Sequence, residues 1–121
     1  MTTPSSSFLD DLPADLPGAV RGFLTAQSVR DAEAAVRACT PGVVVRDDGR
    51  TYRGSEDLRG FVTEAGSEFT YTTTLAGTER LDDAHWVVTQ HLEGDFPGGV
   101  VDLRYRFALE DGLVAELVIA P

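Results

Sequence analysis

The 121-residue sequence contains no lysine and no asparagine, and cysteine, methionine and tryptophan occur once each. Its 10 basic residues are therefore all arginines. The lack of lysine excludes Schiff-base chemistry, a lysine-held pyridoxal cofactor and a lysine-bearing phosphate loop. The lack of asparagine excludes an N-glycosylation acceptor. One cysteine, Cys39, cannot close an internal disulfide. Its place on the apolar side of an expected helix marks it as a small buried hydrophobe rather than a nucleophile. No apolar run approaches the ~20 residues of a membrane span. The opening MTTPSSSF has neither the basic region nor the apolar stretch of a secretory leader, so a cytoplasmic, reducing location is expected.

What is present describes one ordinary domain. Hydrophobic residues make up 42% and charged residues 25%, proportions that support a single core in a chain of this length. The formal net charge of −10 repels phosphate backbones and anionic lipid, so neither nucleic acid nor membrane is an expected partner. Residues 1–12, rich in Ser, Thr and Pro, are expected to be flexible, with a single domain over 13–121.

The clearest pattern is the closing third. Val101, Leu103, Tyr105, Phe107 and Leu109 alternate with Asp102, Arg104 and Arg106, the period of a strand with one buried face. Glu110-Asp111-Gly112 turns the chain, and Leu113 to Ile119 returns. Earlier, Phe69, Tyr71, Thr73 and Leu75 alternate with Glu68 and threonines, Gly77 marks a bulge, and His85 to Glu93 forms a further strand. Val43 to Asp47 and Arg50 to Arg53 form a small hairpin about Asp48-Gly49. Three helices are expected. The first runs from Ala14 to Gln27, with Leu16, Val20, Phe23 and Leu24 inward and Pro17 in its first turn. The second is capped at Ser28, carries Val29, Ala32, Val36 and Cys39 on its stripe and is stopped by Pro41-Gly42. The third is capped at Ser55 and turns Leu58, Phe61, Val62 and Ala65 inward. Helices gathered on one side of a bent antiparallel sheet make an α+β domain with room for a ligand between the layers.

This element order, with Val43-Val44-Val45-Arg46-Asp47, Tyr52-Arg53-Gly54, the run Gly94-Asp95-Phe96-Pro97-Gly98, Arg106-Phe107 and Asp111-Gly112-Leu113, resembles the nuclear transport factor 2-like (NTF2-like) superfamily in its SnoaL-like and ketosteroid-isomerase-like branch. The resemblance spans about residues 14–120. It implies a cone-shaped, cystatin-like fold: three N-terminal helices on a curved antiparallel sheet around an apolar pocket, with a homodimer formed through the outer sheet face. It implies no cofactor, no metal and a small apolar molecule as partner. Isomerase, cyclase or dehydratase chemistry on a carbonyl-bearing substrate is one expected activity; a non-catalytic binding or dimerisation module is the other.

Asp47 stands where ketosteroid-isomerase-like members hold a general base, and a carboxylate facing an apolar pocket is a better base near neutral pH. Aspartates beside a glycine are also ordinary turn formers. The matching second acid would fall near Leu103, which is apolar, while Asp102 points the other way. Tyr105 is the candidate oxygen-polarising donor and Tyr71 a second, each equally at home as a core aromatic. The epoxide-hydrolase members use an asparagine that is absent. His91 is a candidate acid or base, although His85 and His91, too far apart on one strand face for a shared metal, also fit a solvated or dimer face. Phe23 and Phe61 from the helices, and Tyr71, Trp86, Gln90 and Leu103 from the sheet, are the candidate ligand-binding residues. A buried Gln90 needs a partner, either a ligand or a neighbouring side chain.

Overall fold

The computed structural model describes residues 12–65 and 67–121. Its elements run α1 (Gly18–Ser28), α2 (Ala32–Arg37), β1 (Cys39–Asp47), β2 (Arg50–Arg53), α3 (Gly54–Glu64), β3 (Tyr71–Asp82), β4 (His85–Gly94), β5 (Val100–Glu110) and β6 (Leu113–Ala120). Of the expected flexible terminus, residues 1–11 lie outside the described residues, and Leu12 is buried against the core.

Helix α1 begins later than expected. Pro17 sits before its first turn with an extended ψ of 143°, and a proline disfavours helical geometry in the residue preceding it. The expected second helix is also shorter. Asp31 is its N-cap, accepting the Ala34 N–H at 3.1 Å. Ser28 instead donates to the Thr25 carbonyl inside α1, Val29 is 62% exposed, and Cys39 opens β1 rather than closing a helix. Pro41 and Gly42 lie within β1, at the register shift between Cys39 and Val44. A bulge is a place where a strand tolerates a residue with no N–H. Ser55 is not a cap either: the Asp57 carboxylate accepts the Arg53 N–H at the start of α3.

The six strands form one curved sheet in the order β2-β1-β6-β5-β4-β3. Every neighbouring pair is antiparallel except β1 and β6, which run parallel. Parallel neighbours need a long crossover, and here everything from β2 to β5 intervenes. Asp48 and Gly49 both take positive φ, 53° and 76°, the geometry of a tight two-residue hairpin loop. The expected bulge at Gly77 is present between Leu75 and Gly77.

Strand parity assigns the faces. Trp86 lies opposite Phe107, Val88 opposite Tyr105 and Gln90 opposite Leu103; Tyr105 lies opposite Ile119 and Phe107 opposite Leu117. These side chains face the helices. Val20, Phe23 and Leu24 of α1 and Leu58, Phe61 and Val62 of α3 pack onto them, all essentially inaccessible. Phe23 meets the Phe107 ring edge-on at 5.9 Å. Each such side chain removed from water contributes roughly 1.5–3 kcal/mol. The opposite face carries His91 beside Asp102, Thr89 beside Arg104 and Val87 beside Arg106.

Candidate functional site

Where β1 ends and the sheet curves away from the helices, the core does not close, and two adjoining cavities remain. The inner one, about 340 Å³, lies between the end of α1 and β3–β5. The outer one, about 590 Å³, opens toward Phe96, Pro97 and Val100. Gln27, Phe69, Tyr71, Leu92 and Tyr105 line both, so the two are lobes of one pocket.

Asp47 is placed by parity: Val43 and Val45 are buried on the inner face, and Asp47 continues that row into the outer lobe. Half-burial, and then the charge of Asp48, hold its carboxyl above the usual aspartate range. Tyr105, one strand beyond β6, is buried at the junction of the lobes. Burial keeps its phenol protonated far above neutral pH; the amides of Gln27 and Gln90 oppose that effect, and Tyr71 and Asp47 add to it. A carboxylate able to take a proton and a neutral hydroxyl able to donate a hydrogen bond thus face a single pocket. That pairing suits proton transfer at a carbon whose neighbouring oxygen needs polarising.

Tyr71, Gln90, Phe61 and Leu103 also line the pocket, Gln90 in the inner lobe and Phe61 and Leu103 in the outer. Three of the expected residues are elsewhere. Phe23 and Trp86 belong to the hydrophobic core and line neither lobe: Phe23 packs edge-on against Phe107, and Trp86 lies beside Phe107 on the sheet. His91 lies on the outer sheet face. Its Nδ1 meets Asp102 at 2.6 Å and its Nε2 meets Glu93 at 2.8 Å. Asp102, and then Glu93, raise its pKa and favour the doubly protonated ring. His85 bonds separately to Asp82, so the histidines do not meet. Burial pushes the Cys39 thiol up to about 12, leaving it un-ionised.

Gln27, Phe69, Leu92 and Phe96 were not foreseen in the pocket. For Gln27 the signal is present: it follows Phe23 by one helical turn on the inward stripe. For Phe96 there is none, since only the fold brings its loop against Phe69 and Tyr71, with ring centroids 6.1 and 6.4 Å away.

A helix-backed curved sheet enclosing a pocket defines a class of small α+β proteins, and solved structures share it. A protein of Sinorhizobium meliloti provisionally described as a polyketide cyclase is 29% identical, with a TM-score of 0.78 over 88% of this chain and 96% of that one. A Mycobacterium tuberculosis protein solved in complex with estradiol-17β-hemisuccinate is 17% identical, with a TM-score of 0.68 over 85% and 88%. An NTF2-like protein of unknown function from Cytophaga hutchinsonii is 13% identical, with a TM-score of 0.67 over 84% and 85%. No protein-family model matches the chain, and no curated protein matches it significantly. The fold of this chain is that of the NTF2-like and cystatin-fold proteins. No helix among the described residues is long and apolar enough to cross a membrane.

Proposed function

We propose that this protein binds a small apolar, carbonyl-bearing molecule in the two-lobed pocket and moves a proton on it, in cofactor-free isomerase, cyclase or dehydratase chemistry. Asp47 takes the proton from carbon next to the carbonyl, and Tyr105 donates a hydrogen bond to the oxygen as negative charge develops there. The observation that carries this reading is the opening of Asp47, its carboxyl pKa raised by desolvation, into the pocket that also holds the protonated Tyr105. The polyketide-cyclase description of the Sinorhizobium meliloti protein and the steroid bound to the Mycobacterium tuberculosis one support a polycyclic, oxygen-bearing ligand. Two copies pair through the outer sheet face.

The proton step can be tested without the natural substrate. The protein is expected to catalyse deuterium incorporation next to the carbonyl of a bicyclic ketone, 1-tetralone, in D₂O, followed by NMR. Asp47→Asn should slow that exchange by about 10²–10⁴-fold, the usual contribution of a general base, while binding persists. Binding without exchange in the wild type would establish a binding module instead.

A further inference from the structure

The chain's two carboxamides, Gln27 on α1 and Gln90 on β4, both line the inner lobe. Gln90 is 5% exposed, and its Nε2 has no hydrogen-bond partner among the described residues. An amide taken from water and left unpaired destabilises the folded protein, and folded proteins seldom keep one without a use. The Tyr105 hydroxyl stands beside it, held protonated by burial. Among the described residues no carboxylate lines this lobe, and the one charged residue in its wall is Arg30, whose guanidinium already donates to the carbonyls of Val62 and Ala65 at the end of α3. The lobe therefore presents neutral donors around a space of about 340 Å³.

We infer that the inner lobe is a recognition site for a neutral oxygen acceptor, a ketone carbonyl, held by the Gln90 amide together with the Tyr105 hydroxyl. A carbonyl oxygen has two lone pairs and can accept from both. An anionic group is disfavoured, because Asp47 opens into the adjoining lobe and the chain carries a net charge of −10. Gln90 thereby supplies a second donor on the side of the sheet where Leu103 places no acid. This inference rests on reading the cavity as a ligand pocket and does not depend on Asp47 acting as a base.

Three probes of matched shape test it: 2-acetylnaphthalene, its hydrocarbon counterpart 2-isopropenylnaphthalene, and 2-naphthoate. With glutamine only at positions 27 and 90 and no asparagine, the side-chain amide region of an ¹⁵N–¹H spectrum holds two carboxamide groups, each a pair of signals on one nitrogen. The ketone should shift the Gln90 signal and bind about a hundredfold tighter than the hydrocarbon, about tenfold for each of its two hydrogen bonds. Naphthoate should bind more weakly than the ketone. Gln90→Met should cut the preference for the ketone about tenfold, to the part that Tyr105 supplies, leave hydrocarbon affinity unchanged and raise the Tm of the free protein by about 3–6 °C, since it removes an unpaired buried amide. A lower Tm would mean that the amide has an internal partner, and the inference fails. It fails equally if ketone and hydrocarbon bind alike, if naphthoate matches the ketone, or if the ketone leaves the Gln90 signal unmoved at millimolar concentration. Retention of the ketone preference in Asp47→Asn, with no hydrogen exchange in the wild type, would remove only the catalytic reading.

Discussion

Asp47 carries a charge that its surroundings disfavour. Burial, and then Asp48, raise its pKa above the ordinary 3.8. Between that value and the raised one the folded state holds the proton more tightly than the unfolded chain, so stability falls as pH rises through the window, and the cost is fully present above it. Asp47→Asn should therefore raise Tm relative to wild type at pH 7 and give no such gain below pH 3.8. Paired thermal melts at the two pH values check this; an equal gain at both would trace the effect to packing rather than charge. At this scale much was legible. A carboxylate ending an apolar alternating row, Val43, Val45, Asp47, must share the buried face of that row. Parity likewise separated Tyr105 from Asp102. What parity could not say was whether an inward residue meets a cavity or another side chain. Trp86 and Gln90 share a face, yet Trp86 is packed into the core and Gln90 lines open space.

Among the elements, the connection from α1 to α2 shows how a tertiary contact overrides a local signal. Ser28 and Asp31 are both good N-caps by chemistry. Arg30 decides between them. It adopts φ 56° and sends its guanidinium to the Ala65 carbonyl at 2.9 Å, a contact between residues 35 apart in the chain. The left-handed residue follows the end of α1, and Asp31 caps the helix that begins at Ala32. Asp31→Ala should cost about 1 kcal/mol of unfolding free energy, whereas Ser28→Ala should stay within about 0.5 kcal/mol, as exposed substitutions do. Urea denaturation of the two variants measures both, and a larger loss from Ser28→Ala would contradict the cap assignment. Strands β4 and β5 were readable because they alternate over most of their length, the β5–β6 register shifting only between Ala108 and Leu109. Strand β1 was readable only from Val43 onward, since the bulge at Pro41-Gly42 interrupts its first half and imitates a helix stop.

Over the whole molecule the sheet has one face covered by helices and one left to solvent. The open face alternates charge: Asp102, Arg104 and Arg106 on β5, His91 and Glu93 on β4, and the Arg46–Glu116 pair across β1 and β6. Mixed signs on one face let a second copy, rotated by a two-fold, meet opposite charge. Light scattering at micromolar concentration should give twice the chain mass, and added salt should weaken the association, because exposed charges are screened. A monomer mass at that concentration removes the proposed pairing and leaves the pocket reading intact.

Local pattern alone determined that this chain forms a helix-backed sheet, where its strand turns fall and which positions of a strand share a face, while it left Asp47 open between a turn residue and a pocket base. Those properties follow from steric and hydrophobic periodicities that repeat every two or 3.6 residues. The pairing of β1 with β6 in parallel, the start of α2, the removal of Phe23, Trp86 and His91 from the pocket, and the meeting of Gln27, Gln90 and Tyr105 around one cavity were decided only by tertiary structure. Each depends on sheet curvature and on contacts between residues distant in the chain, and no periodicity in the sequence encodes the space left where two layers part.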